Sequence, residues 1–310
     1  MSVEVVKTIH FKTFEDFWNQ VSPLGELGKK LSGFVYRGEF SSKNKLLPTT
    51  LRDNYVLNDE ASQVHHEIDL LCSFYKEANN NGLRVPNNKI LHGAKPEFIM
   101  GYGLYWISDD FEETAALAQH YGMPTRLLDW TKDVFASFYF ASKDILSESK
   151  IIKNDDSIVI YSLNFDLLLY HISLWRFRQN DITVYPKPLP LKFIVPYYSG
   201  IPNAVAQVGV FSYSEINLSP VDEKSWIIDK TPLDEKLNLL SKEKDSYYEF
   251  PDNMILLYKF ILPKSEAIKM FAFISELGYS YSKLFPGYNS IIKTMEERRL
   301  MKEILQWSKT

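Results

Sequence analysis

The sequence predicts an α+β fold: one β-sheet core with flanking helices. Three observations lead there. Short apolar runs of strand character recur along the chain, at Phe34–Arg37, Ser157–Ser162 and Met254–Leu262. Stripes at helical spacing separate them. No internal repeat, low-complexity tract or composition break divides the 310 residues, so the length fits one large domain with a C-terminal extension. The expected division is a core over 1–216 that includes an N-terminal helix. A 217–310 extension, made of a charged insertion, a strand and two helices, packs on the same domain.

The elements follow in order. Thr13 precedes Phe14, Phe17, Trp18 and Val21. Its hydroxyl can accept from the backbone N–H three residues on, and Asp16 stands at the reciprocal capping position. Ser22-Pro23-Leu24-Gly25 interrupts this helix. Gly33 leads into the strand Phe34–Arg37, where Phe34 and Tyr36 share one face and Val35 and Arg37 the other. Residues 40–54 read as loop. A helix over 59–78 places Val64, Ile68, Leu71 and Tyr75 on one side and stops at Asn79-Asn80-Asn81-Gly82. After a polar, Pro-containing stretch, Phe111–His120 is a second helix, ended by Gly122 and Pro124. Thr125–Trp130 reads as a short strand. Asp133–Ser142 is a helix so rich in Ala and aromatics that burial on several sides is expected. Residues 180–203 hold five prolines and read as a long loop of the kind that often carries function. Asn203–Tyr213 returns to strand character. Residues 217–250 are charged and weakly patterned. Helices are expected over Ser265–Leu277 and Tyr288–Trp307.

Composition narrows the function classes. Hydrophobic residues make up 45 % and charged residues 24 %, enough to build a core. Phe and Tyr are abundant, at 20 and 19, and core packing is the first explanation for them. A net charge of −4 lacks the footprint of a general nucleic-acid binder, while leaving room for a local basic groove. The single cysteine, Cys72, can form neither an intrachain disulfide nor a thiolate zinc site, which fits a reducing compartment. The N-terminus shows no basic start followed by an apolar run. No stretch approaches 18 uncharged apolar residues. A cytoplasmic location without membrane contact is the expectation.

Several motifs carry nothing. There is no Walker A loop and no Gly-x-Gly-x-x-Gly after a strand; Gly101-Tyr102-Gly103 lacks the third glycine. His65 and His66 point about 100° apart on a helix and cannot easily share a metal. No metal site is expected. Glu112-Glu113 suits a helix N-terminus, and Arg298-Arg299 suits a solvated helix face.

One combination is more specific. Tyr36-Arg37-Gly38 is followed by Leu47-Pro48-Thr49-Thr50-Leu51-Arg52. Next comes the block Gln119-His120-Tyr121-Gly122-Met123-Pro124-Thr125-Arg126-Leu127-Leu128-Asp129-Trp130-Thr131. Then follow Ala136–Ala141, Ala206–Phe211 and Leu284-Phe285-Pro286-Gly287. Together these resemble the FRG-domain family over nearly the whole chain. The family tends to carry an acidic residue where Gly287 stands.

The order of these parts is also similar to that of ADP-ribosyltransferases of the Arg–Ser–Glu type. In those, an early strand offers Arg near the phosphates and ribose of NAD. A second strand carries Ser-Thr-Ser and leads into an Ala-rich helix, and a late strand carries Glu. This resemblance implies a split β-sheet core and a site for NAD or another nucleotide. It also implies an effector or toxin role against a protein or nucleic-acid target, as in antiphage defence. By role, Arg37 stands for the NAD-holding Arg, Asp129 and Thr131 for the Ser-Thr-Ser element, and Gln207 for the catalytic Glu. Gly38 would admit the ligand to the backbone, and Tyr121 or Trp130 would stack on nicotinamide. His120 is a candidate acid or base. Gln207 carries no charge, so either another carboxylate supplies it, with Asp129 or Glu215 as candidates, or the site binds a nucleotide without this chemistry. Bland roles compete: an Arg37–Asp129 structural ion pair, Asp129 as a helix N-cap, Trp130 as core and Gln207 as a backbone partner. Two rivals remain, a hydrolase or nuclease using Asp129, His120 and Arg37, and a non-catalytic nucleotide- or partner-recognition module.

Overall fold

The computed structural model describes residues 5–52, 54–87, 109–147, 156–178, 191–196, 202–216, 226–240 and 254–307. Among them run seven strands: β1 Val6–His10, β2 Phe34–Glu39, β3 Leu128–Thr131, β4 Ser157–Asn164, β5 Lys192–Ile194, β6 Gly209–Tyr213 and β7 Leu257–Pro263. They form one mixed sheet in the order β1-β7-β4-β2-β3-β6-β5. Only β1 and β7 pair in parallel; every other pair is antiparallel. The protein is α+β, with β7 well inside the sheet although it comes from the C-terminal region.

The sheet is nearly divided in two. β2 pairs with β4 from Phe34 opposite Asn164 to Glu39 opposite Val159. β2 meets β3 at a single position, Tyr36 opposite Thr131. A half of four strands, β1-β7-β4-β2, is therefore hinged on a half of three, β3-β6-β5.

Helices cover the sheet, and the strand pattern dictates how. On β4, Ile158 and Ile160 point into one core while Val159, Tyr161 and Leu163 point into another, as alternation requires for a strand buried on both faces. The first core lies under α1 (Phe14–Val21), α4 (Val134–Ser142) and α8 (Ala267–Glu276) and contains Phe17, Phe138, Tyr139, Phe260, Met270 and Phe271. The second lies under α5 (Phe165–Arg178) and α7 (Leu233–Leu240) and contains Val35, Trp130, Leu168, Leu237 and Leu257. A third joins α2 (Glu60–Asn80) and α3 (Asp109–His120) to the three-strand half through Leu71, Ala115, Leu127, Ile194 and Phe211.

Caps fix where these helices begin. Thr13 Oγ1 accepts from Asp16 N at 3.1 Å, and Asp59 Oδ1 accepts from Ser62 N at 2.8 Å. Asp133 Oδ1 accepts from Phe135 N at 2.9 Å and caps α4; Asp129, the alternative N-cap, stays in β3. α4 presses so closely on β2 that a Cβ at Gly38 would stand 1.9 Å from Ser137 O. The glycine is needed there for helix–strand contact, whereas the sequence reading gave it to ligand approach.

Three other expectations shift. β1, α5 and α7 arise where no element was predicted, α7 within the charged stretch 217–250; β1 alternates too briefly, with Lys7, Thr8 and His10 among its five residues, to stand out as a strand. The strand expected over 203–213 starts only at Gly209, because Pro202–Gln207 forms a short helix, α6. Val208 joins the two with a φ of 46°, unusual for a β-branched residue. Of the expected loop 180–203, Lys192–Ile194 is β5. Gly101-Tyr102-Gly103 and most of 217–250 lie outside the described residues. The chain ends in α9 (Tyr281–Leu284) and α10 (Tyr288–Trp307).

Candidate functional site

A cleft of about 340 Å³ opens where the two half-sheets part, lined by Arg37, Glu39, Asp129, Thr131, Lys143, Asp144, Gln207 and the rings of Tyr36, Phe140 and Phe285, among others. β2 supplies Arg37 and Glu39, two residues apart and so on one face of the strand. Arg37 directs Nε to Glu39 Oε1 at 2.9 Å and Nη2 to the same oxygen at 2.5 Å. Its Nη1 reaches across the split to the Asp129 carbonyl at 3.0 Å and to Asp129 Oδ2 at 3.4 Å. The guanidinium thus ties the half-sheets together beside their single bridge.

The electrostatics follow. Burial works against the Arg37 charge, but Glu39 and Asp129 outweigh it and hold its pKa above the ordinary value. Burial likewise opposes the Glu39 carboxylate. The Arg37 guanidinium overcomes that and holds it below the usual carboxylate range. Lys143 pairs with Asp144 at 2.7 Å. Two cations, Arg37 and Lys143, face three carboxylates, Glu39, Asp129 and Asp144, so the charges lining the cleft are negative in excess.

Asp129 is held from behind. Its side chain is 53 % exposed, yet Gln119 Nε2 donates to its Oδ2 at 3.0 Å. Gln119 Oε1 in turn accepts from Thr125 Oγ1 at 2.8 Å, and Thr125 Oγ1 accepts from Leu127 N at 3.1 Å. The next residue, Arg126, is buried between Glu60 Oε1 at 2.5 Å and Glu67 Oε2 at 2.8 Å, both on α2. The distinctive block 119–131 is therefore a brace that fixes the carboxylate of Asp129 relative to α2 and α3.

The structure brings Arg37, Gly38, Asp129, Trp130, Thr131 and Gln207 to the cleft and leaves His120 and Tyr121 off its lining. His120 Nε2 is buried with no hydrogen-bond partner. Burial lowers the His120 pKa, against the opposing pull of Asp129. Tyr121 is 63 % exposed and stands edge-on to His120. The indole of Trp130 is committed elsewhere: it sits in the second core and donates Nε1–H to Ser212 Oγ at 2.8 Å, so it is no stacking platform. Thr131 Oγ1 donates to Gln207 O at 2.5 Å and accepts from Asp133 N at 3.0 Å, joining β3 to α6 and α4. Gln207 ends α6 and is not on a strand; its Nε2 donates to Leu284 O at 3.1 Å. Glu215 pairs with Lys192 at 2.9 Å and lines a separate cavity of about 230 Å³, so of the two carboxylates considered only Asp129 stands at the cleft.

Sequence reasoning missed Glu39, Gln119, Lys143, Asp144, Phe140 and Phe285. Glu39 was within reach, since period two puts it beside Arg37. Gln119 opened the quoted block but was given no role. Phe285 stood in the quoted Leu284–Gly287 segment but was given no role, because only the fold brings it to a cleft whose Arg37 lies some 250 positions earlier. Among the described residues no group of three or more His, Cys, Asp or Glu could hold a metal ion, and no helix is long and apolar enough to cross a membrane.

Fold and cleft define an α+β protein with a small, charge-lined cavity at the split of a mixed sheet. Residues 32–150 match the family model of the FRG domain, and the chain carries an FRG domain over that segment. The segment includes every cleft residue named above except Gln207 and Phe285. No curated protein and no solved structure matches the chain.

Proposed function

We propose that the cleft binds a nucleotide, NAD first among them, and that the domain is an ADP-ribosyltransferase-like enzyme. The observation that carries this reading is the pair of carboxylates, Glu39 and Asp129, fixed on either side of Arg37 at the parting of the half-sheets. Bound NAD supplies a glycosidic bond whose cleavage places positive charge on the sugar. Carboxylates held in a preorganised, partly dry site favour such charge. Glu39 is kept ionised by Arg37, and Asp129 is aimed by Gln119. The chain order supports the same reading: an Arg-bearing strand, a neighbouring strand that feeds a buried helix of Ala and aromatic residues, and a late strand preceded by Gln207.

The residues fit the ligand with one change of role. Nearly all Arg37 donors are spent on Glu39 and Asp129, so Arg37 positions carboxylates here. The Phe140 and Phe285 rings, with centroids 6.2 Å apart and nearly perpendicular, offer apolar walls for a planar base. At about 340 Å³ the cleft lies at the small end of ligand sites, roughly 300–1,000 Å³, and suits one end of a dinucleotide. A macromolecular target, and a part in effector or antiphage biology, belong to the same reading.

The test is nicotinamide release from NAD by the purified chain, measured by chromatography. Asp129→Asn keeps the shape and removes the charge, and is expected to lower turnover by about 10²–10³-fold. Folded wild type that releases no nicotinamide sinks the enzyme. A second reading, nucleotide recognition without turnover, has one observation in its favour: the transferase position for Glu holds Gln207, whose amide is committed to Leu284 O. It predicts ligand affinity that survives Asp129→Asn with no turnover in either protein.

A further inference from the structure

The cleft does not end at Asn44. That residue also lines a second groove of about 270 Å³, whose other polar walls are Lys43, Lys45, Arg52 and Lys230. Among the described residues no carboxylate lines this groove. Four cations thus gather on a protein whose net charge is −4, directly beside a cleft whose own charges are negative in excess.

The groove is built on a fixed floor. Leu46, Leu47, Thr50 and Leu51 are buried, anchoring the segment that carries Lys43, Lys45 and Arg52. Arg52 rests one edge of its guanidinium on Leu47 O, with Nε and Nη2 each at 3.4 Å, which leaves its remaining N–H groups for a ligand. Lys230 follows Asp229, whose Oδ1 accepts from Thr231 N at 2.9 Å and so shapes that turn. The cationic stretch is also short. Asp156 pairs with Lys43 at one side, Asp229 pairs with Lys236 beside Lys230, and Glu39 meets Asn44 Nδ2 at 3.4 Å on the cleft side. A long polyanion running through would meet these carboxylates, whereas a compact one would not.

We propose that this groove is an oligophosphate subsite, holding the pyrophosphate or longer phosphate chain of a nucleotide whose sugar end lies in the cleft. The groove's preference for phosphate stands on its own charges; its connection to a sugar in the cleft rests on the nucleotide reading above. Division of labour is the point: Arg37 is committed to Glu39 and Asp129, and the acidic cleft is poorly suited to phosphate. Lys45 and Arg52, beside Lys230 and the Asp156-paired Lys43, supply the charge that a phosphate chain needs.

Calorimetric titration of the full chain with inorganic tripolyphosphate at low salt tests the subsite. Saturable binding is expected, weakening as salt is raised to about 0.15 M, where charges are screened over about 8 Å. Lys45→Ala and Arg52→Gln should each weaken it about fivefold, from one charge pair near 4 Å in water, and Lys45→Glu, an exposed reversal with little reason to unfold the chain, should weaken it further. No tripolyphosphate binding by folded wild type overturns the proposal. So does affinity untouched by Lys45→Glu, or tight binding of a short single-stranded RNA without any of tripolyphosphate. Tripolyphosphate binding without NAD binding leaves the subsite standing while the NAD reading falls. NAD binding that is indifferent to Lys45→Glu, with no tripolyphosphate binding, does the reverse.

Discussion

Removing Arg126 should cost more stability than removing any other single cation among those described, and the deficit should depend on pH. The side chain is 4 % exposed, and each of its partners, Glu60 and Glu67, is 3 % exposed. Arg126→Met keeps the volume of the stem and strands two buried carboxylates, with only Gln63 Nε2, 2.7 Å from Glu67 Oε1, left to help. Breaking a buried pair from one side costs about 3–5 kcal/mol, and two orphaned partners place this variant at the upper end. Burial already pushes the Glu60 carboxyl above its ordinary range, against Arg126. Without the cation it rises further. A carboxyl whose folded pKa exceeds its unfolded value, about 4.3, takes up its proton first in the folded state. Stability is then lost as pH rises through the folded pKa and regained as pH falls through it. Urea unfolding followed by tryptophan fluorescence should therefore show a large deficit at pH 8 and a smaller one at pH 5. Adding Glu60→Gln and Glu67→Gln to Arg126→Met should recover most of the loss. A deficit under about 1 kcal/mol at pH 8, or one that widens toward pH 5, would refute the reasoning.

Other outcomes follow from single contacts. Gly38→Ala drives a Cβ to 1.9 Å from Ser137 O and should cost about 1–3 kcal/mol or more as α4 is pushed off β2, read by thermal unfolding. Trp130→Phe leaves the Ser212 hydroxyl buried without its donor; a loss of about 1–3 kcal/mol is expected in urea with ligand affinity unchanged, as suits a core residue. Gln119→Leu should weaken ligand binding, because it releases Asp129 Oδ2, and should cost about 1–3 kcal/mol in urea, because it strands the buried Thr125 hydroxyl. The depressed His120 pKa means that the unfolded chain binds a proton near pH 6.5 that the folded chain resists. Stability should fall as pH drops below about 6.5, and His120→Gln should flatten that slope.

Much of this molecule was legible where local chemistry decides. Thr13 marked the start of α1, Tyr288–Trp307 matched α10, and the alternation of Phe34, Val35, Tyr36 and Arg37 put the right faces on β2. The pairing of Arg37 with Asp129 was weighed as a structural alternative, and the contact exists. What escaped was decided at a distance. Whether Gln207 closes a helix or opens a strand depends on Thr131 and Leu284 holding it from either side. Trp130 was weighed as core and is core, but nothing nearby in sequence announces Ser212, 82 positions away, as its partner. Gly38 suggested an open approach, yet α4 fills the space, and only the tertiary fold brings α4 there.

Calorimetric titration of NAD into wild type and into Asp129→Asn is the most direct test of the central claim, that the cleft at the split sheet is a nucleotide site shaped by paired carboxylates. Saturable binding by wild type, with weakened affinity in a folded Asp129→Asn, is the predicted result. A folded wild-type chain that takes up no NAD at millimolar concentration, about −4 kcal/mol of binding free energy, would contradict it.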